Sequence, residues 1–261
     1  HAPPRLGANN TYRRTLANIK NHTLMTKRII KILLVIFVLG ALTYVSYYFR
    51  EGLQFAKGEI EDTRKIEIKK LNEILKNGDI IFQTSKSNQS KAIQIATGSK
   101  YSHMGIIYRQ GNQLFVYEAI QPVKLTKIVD WIARGEDRKY VVKRLKDYES
   151  ILTTENIEKL KKVGEKYKGK NYDIYFEWSD EKLYCSELVW KIYKEALNIE
   201  VGKLEKLKNF NLKNPIVKKT MKERYGDKIP LEETVISPIS IFNSKNLETV
   251  NTENTQIIFR K

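Results

Sequence analysis

Apolar residues run without a charge from Ile32 to Phe49, eighteen positions in all. A helix of that length spans the ~30 Å hydrocarbon core of a bilayer. Lys27, Arg28 and Lys31 precede the run, and Arg50 and Glu51 follow it. The basic excess before the run predicts a cytoplasmic N-terminus and an extracytoplasmic domain. Tyr44, Tyr47, Tyr48 and Phe49 close the run like an interfacial aromatic belt. No small-x-small cleavage site follows, so residues 25–50 read as an uncleaved membrane anchor, with a cleaved signal peptide as the alternative. Residues 1–24 are polar, basic and aperiodic, and Met25 opens what looks like a protein start. They read as a leader, added for expression or misassigned, and are set aside from the fold.

Residues 51–75 are charged, with Leu53, Ile60, Ile66, Ile68, Leu71, Ile74 and Leu75 scattered among them. This predicts a helical stalk. From residue 76 the pattern changes. Lys76-Asn77-Gly78-Asp79 is a turn signal, and Ile80-Ile81-Phe82 a short strand. The Ser-, Gln- and Lys-rich stretch 85–99 predicts a short helix ending at Gly98. Tyr101–Tyr108 and Leu114–Ile120 read as strands around Gln110-Gly111-Asn112, and Tyr140–Val142 as another. Thr154 is placed to cap a helix running to about Tyr167, with Ile157, Leu160 and Val163 on one face. An aromatic-rich loop, 169–180, holds Tyr172, Tyr175, Phe176 and Trp178. Apolar positions at Cys185, Leu188, Val189, Ile192, Ala196 and Leu197 then trace one face of a helix. The chain is lysine-rich up to Lys228, has short apolar pieces over 230–242, and offers Ile257-Ile258-Phe259 as a final strand. Strands and helices in blocks, not in βαβ alternation, predict an α+β domain over 76–261, an antiparallel sheet packed on the cysteine helix.

Charge adds one constraint. The chain carries +17 over 261 residues, but eight of its 47 basic residues lie in 1–50, where there is no acid. The remainder holds 39 basic against 30 acidic residues. Its lysines interleave with acids and no nucleic-acid motif accompanies them, which argues against nucleic acid as a partner. Attraction to anionic lipid or wall polymer fits the surplus.

Cys185 is the sole cysteine, so there is no internal disulfide and no multi-cysteine zinc site; no metal or cofactor is expected. Its place near a helix start favours a thiolate, because unpaired N–H groups and the macrodipole stabilise negative charge there. A nucleophile needs a base. Histidines occur at 1, 22 and 103, and only His103 lies within the expected domain. If the hairpin turns at Gln110-Gly111, His103 sits directly opposite Glu118. If it turns at Gly111-Asn112, Glu118 faces Gly105, diagonal to His103. Either register puts both side chains on one sheet face, where a carboxylate orients the imidazole and stabilises its cation. Gly105 would leave open space there. The oxyanion would be held by a helix N–H near Cys185 and a side-chain donor, Gln83 or Tyr101. Each residue also has a plainer reading: a buried small hydrophobe for the cysteine, a structural histidine, a lysine partner for Glu118, core packing for the aromatic loop.

At these residues the sequence resembles a known family. Asn77–Phe82, Tyr101-Ser102-His103-Met104-Gly105-Ile106-Ile107, Val116-Tyr117-Glu118-Ala119 and Tyr172–Asp180 running into Leu183-Tyr184-Cys185-Ser186-Glu187-Leu188-Val189-Trp190 are similar to the YiiX-like family. These are circularly permuted, NlpC-type papain-like cysteine hydrolases, related to bacterial amidases and to lecithin–retinol-type acyltransferases. The likeness covers residues 76–200. It implies a permuted papain-like fold, with Cys185 as nucleophile, His103 as base and Glu118 as third polar residue. It also implies Tyr101 and Tyr184 as pocket residues, beside Tyr172 and Trp178 of the aromatic loop. The expected activity is cleavage of an amide in a cell-wall peptide, an N-acyl amino acid or a lipid amide. Acyl transfer through the same intermediate is one alternative. Others are a non-catalytic module binding wall or lipid, or a membrane-tethered basic interaction domain.

Overall fold

The computed structural model describes residues 8–251. The chain divides after Thr63 into two compact units. Helix α1 (Ala8–Ile74) supplies the described part of the first. Within it, Leu24–Glu59 is long and apolar enough to cross a membrane, and none of its most apolar stretch is buried.

The second unit is built on a sheet. In chain order its elements are β1 (Ile80–Gln83), α2 (Asn88–Thr97), β2 (His103–Gln110), β3 (Gln113–Glu118), β4 (Lys124–Lys127), α3 (Ile128–Arg134), β5 (Val141–Leu145) and α4 (Tyr148–Ile151). Then come α5 (Thr154–Tyr167), β6 (Asn171–Tyr172), β7 (Lys182–Leu183), α6 (Cys185–Leu197), β8 (Glu205–Lys206), α7 (Pro215–Tyr225), β9 (Thr234–Val235), α8 (Pro238–Phe242) and β10 (Leu247–Val250). Six strands pair in the order β10-β5-β1-β2-β3-β4, each pair antiparallel. This is the α+β arrangement that the strand and helix blocks predict.

Both faces of the sheet are covered, and the period of two sorts their residues. Ile80, Phe82, Met104 and Ile106 join Leu160 of α5 and Leu188, Val189 and Ile192 of α6 in one core. Ile81, Ile107 and Val116 point the other way, onto Trp131 and Ile132 of α3 and onto Leu71 and Leu75. Those two leucines lie in the stretch expected as a stalk, yet they are 0% and 1% exposed. Burial of each contributes roughly 1.5–3 kcal/mol, so the domain reaches back beyond residue 76 to include the end of α1.

Several local readings shift. Thr153, not Thr154, caps α5: its side chain accepts from the Asn156 N–H at 3.3 Å. The second hairpin strand ends at Glu118, two residues early. The aromatic loop contains a short parallel ladder, β6 on β7. Within the lysine-rich stretch, Asn214 accepts from the Ile216 N–H at 3.0 Å and Pro215 begins α7, a helix start that the lysine composition obscures. The expected strand at 257–259 lies outside the described residues; β10 forms the sheet edge beside β5.

Candidate active site

Cys185 is the first residue of α6, so its N–H has no intrahelical acceptor. The start of this helix is pinned. The Glu187 side chain reaches back to the Tyr184 N–H at 3.4 Å. Ser186 donates its hydroxyl to the Ile236 carbonyl at 2.8 Å, and the Ile236 N–H donates to the Tyr184 hydroxyl at 3.1 Å. Cys185 is 3% exposed.

His103 is the first residue of β2. Gln110 pairs with Gln113 and Ile106 with Tyr117, so the hairpin turns at Gly111-Asn112, with Gly111 at a φ of 57°. Of the two registers open to the sequence, this is the one that puts Glu118 diagonal to His103. The two meet: His103 Nε2 lies 2.7 Å from Glu118 Oε2. The expected open space at Gly105 is absent. A Cβ there would stand 2.5 Å from Val116 Cγ1 and 2.6 Å from the Tyr117 carbonyl oxygen. Glycine is required because β3 packs against that position, and close approach brings the carboxylate to the ring.

Glu118 is fully buried and its charge is well supplied. Thr126 of β4 donates to Oε1 at 2.5 Å, and Arg134 of α3 forms an ion pair with the same oxygen. Burial pushes this carboxyl up, but bonds from His103 and Thr126 and the charge of Arg134 hold it below its ordinary range. The other ring nitrogen of His103 is left for Cys185, which lies close enough to act on the charge of the imidazole. Burial pulls the histidine down, but Cys185 and Glu118 overcome it and raise it to about 9. Trp131 of α3 stacks on the ring with centroids 5.9 Å apart and an interplanar angle of 26°. The structure therefore brings Cys185, His103 and Glu118 together. Sequence reasoning missed Thr126, Trp131 and Arg134, for which no motif or periodicity gave a signal.

The remaining expected site residues separate into two groups. Tyr172 and Tyr184 line, with Cys185, a mostly apolar cleft. Trp178 does not line it; it packs against Trp190 at 5.4 Å, beneath the Lys191 ammonium at 5.1 Å. Tyr101 lies off the cleft as well, stacked at 4.4 Å on Phe242. Gln83 is directly across the ladder from His103, buried, with its Oε1 against Gly135 and without a hydrogen-bond partner among the described residues. It is not part of the cleft wall.

Two residues missed by sequence reasoning fix the orientation of Tyr172. Arg224 donates to Gln89 Oε1 at 2.7 Å, and Gln89 Nε2 donates to the Tyr172 hydroxyl at 2.9 Å. Arginine can only donate, so the amide cannot be reversed. Tyr172 must therefore accept from Gln89, and its own proton remains available. Burial, then the nearby Cys185 charge, push this phenol well above its usual range.

Comparison with known proteins gives the family. The permuted papain-like amidase family (YaeF/YiiX, C92) matches residues 74–251. Protein YiiX of Escherichia coli K12 is 51% identical over 176 residues, covering 67% of this chain and 86% of that protein. The crystal structure titled metalloprotein yiiX, from Escherichia coli O157:H7, is 50% identical, with a TM-score of 0.66 over 69% of this chain and 98% of that one. With a catalytic-type cysteine at a helix start and its histidine on the preceding sheet, the chain belongs to the permuted papain-like amidases, a family of cysteine hydrolases.

Proposed function

We propose that the chain cleaves an amide through a thioester at Cys185, with His103 as base and Glu118 as its orienter. The observation that carries this reading is the buried line from Cys185 through His103 to Glu118. His103, as imidazolium, already holds the thiol's proton when Sγ attacks the amide carbonyl carbon. The oxyanion is held by the Cys185 N–H and by the Tyr172 hydroxyl, which shares the cleft with Sγ as Gln83 and Tyr101 do not. Collapse breaks the C–N bond, and the imidazolium gives its proton to the leaving amine. His103 then deprotonates a water, which attacks the thioester; the acid departs and the thiolate–imidazolium pair is restored.

The substrate on this reading is an N-acyl amino acid, a lipid amide or a cell-wall peptide. The run 32–49 anchors the protein with its domain outside the cytoplasm. A resident metal does not suit these residues. Cys185 and His103 would supply two ligands, but both oxygens of Glu118 are engaged by His103, Thr126 and Arg134. Among the described residues no cluster of three or more His, Cys, Asp or Glu side chains is arranged to hold a metal. A second reading, transfer of the acyl group to an amine or alcohol, draws support from the apolar cleft wall, which disfavours water.

The test is amide hydrolysis by the wild type and by Cys185→Ala and His103→Ala. Loss in both variants, with acyl-Cys185 trapped by acid quench in the wild type, is expected. Unchanged biological activity in Cys185→Ala would leave the non-catalytic module standing.

A further inference from the structure

We infer that Lys191 is a positioning residue for the reaction: it fastens the segment 173–181 to the helix that begins at Cys185, and so keeps the Tyr172 hydroxyl beside that thiol. The inference rests on the nucleophile reading above and on the oxyanion role given there to Tyr172.

The need for a fastening comes from the topology. β6 and β7 are parallel, with Asn171 across from Lys182 and Tyr172 across from Leu183. The Asp173 N–H extends the ladder, donating to the Leu183 carbonyl at 3.1 Å. Parallel neighbours need a connection that runs back along the whole ladder, ordinarily about a dozen residues or more and helical. Here residues 173–181 make the return without a helix, turning through Phe176 at a φ of 54°. The near end of this segment is closed locally. Asp173, buried, accepts from the Tyr175 N–H at 2.8 Å and from the Glu177 N–H at 2.6 Å. A ladder this short does not stand alone, so the far end needs a hold of its own.

Lys191 supplies it. Its ammonium donates to the Ser179 carbonyl and to Asp180 Oδ1, each at 2.6 Å, and forms an ion pair with Glu187 at 2.8 Å. An ammonium has three protons, and here each has an acceptor. Trp178 lies beneath it, which gives that aromatic residue a place in the clasp instead of in the cleft. The third acceptor carries the link to the site. Glu187 lies one turn before Lys191 on α6, is fully buried, and reaches back to the Tyr184 N–H. One cation thus joins the end of the segment that follows Tyr172 to the helix turn that carries Cys185. The Lys191 side chain is only 9% exposed, so this is not a solvated surface charge. Replacing a buried ion pair by apolar residues is often neutral or stabilising, so packing of α6 alone does not call for a lysine there. Holding the segment does. Gln89 and Arg224 orient the Tyr172 phenol; Lys191 holds the backbone that bears it.

The experiment is a double-mutant cycle on amide hydrolysis, Lys191→Met against Tyr172→Phe, with amide hydrogen exchange by NMR as a readout that needs no substrate. Lys191→Met keeps an unbranched side chain and removes the ammonium. Expected is a fall of about 10- to 100-fold in kcat with little change in KM. The Asp173 amide should exchange faster than in the wild type, while the amides of β1, β2 and β3 keep their rates. In the Tyr172→Phe background the same substitution should cost less than about threefold, because the group that it displaces is already gone. A lysine that only stabilised the fold would cost the same in both backgrounds, and that result would overturn the inference. Should Lys191→Met not fold, Asp180→Ala, at the exposed end of the clasp, takes its place with the same pattern expected. An Asp173 amide that exchanges equally in wild type and variant would overturn the inference whether or not any amide is cleaved. Faster exchange in the variant, with no amide cleaved by the wild type, would keep the clasp and remove the amidase reading.

Discussion

Cys185 stands between two unlike walls. On one side, buried His103 and Glu118 are joined to half-buried Thr126 and exposed Arg134 in a polar chain in which every charge has a partner. On the other, the cleft wall is aliphatic and aromatic, and its few polar side chains are turned away or paired. The first wall comes from the sheet and α3, held on both faces by core. The second comes from α2, α7 and the chain between them, with its own small cluster around Leu207, Val217 and Met221. Proton transfer needs groups fixed in a dry, charged setting, and so is assigned to the wall with the larger core behind it. The helical wall instead offers an apolar shape and few free polar partners.

Substitutions can break this contrast in graded steps. Cys185→Ala should have the largest effect, a loss of more than about 10⁴-fold in kcat/KM with the fold intact by circular dichroism. Glu118→Gln should cost on the order of 10³-fold, because the neutral amide no longer stabilises the imidazolium. Here the sign of the pH effect separates a positioning role from a structural one: an NMR titration should find His103 below its wild-type value of about 9. Tyr172→Phe should cost about 10²-fold in kcat with little change in KM, as expected for one oxyanion donor. An unchanged rate would move that role back to Gln83.

Gly105→Ala tests the first wall through stability. The added methyl meets Val116 and the Tyr117 carbonyl, and should cost roughly 1–3 kcal/mol in urea unfolding while spreading the hairpin. The smallest effect concerns pH. His103 is raised on folding, so its contribution to stability is fully present below its ordinary value of 6.5 and is lost as pH rises through about 9. Melting temperature followed across that window should fall in the wild type and less steeply in His103→Gln.

Much of the polar wall was legible in the sequence because its parts are local or nearly so. A hairpin with two possible turns fixes which residues share a face, and a single cysteine at the start of a periodic helix marks itself. The apolar wall was not legible. Its residues are drawn from segments far apart in the chain, and α7 was hidden in a lysine-rich stretch whose inward positions, Val217 and Met221, are sparse. Gln89 and Arg224 gain meaning only when the fold places them in line with Tyr172. The aromatic loop misled for a related reason. Tyr172 and Trp178 are close in sequence, but the loop turns between them, with Phe176 at a φ of 54°, and Trp178 leaves for the Trp190 side. Likewise Leu71 and Leu75 read as scattered apolar residues on a charged helix until the second face of the sheet claims them.

The central claim is that Cys185 and His103 act as one unit, and it needs no substrate to test. The measurement is the rate at which iodoacetamide alkylates Cys185 near neutral pH, in the wild type and in His103→Ala. Because the chain has a single cysteine, the signal has one source. A fast reaction that slows by at least about tenfold without the imidazole is the predicted result. A slow reaction, equal in the two proteins, would contradict the account and make Cys185 a buried packing residue at the mouth of a binding cleft.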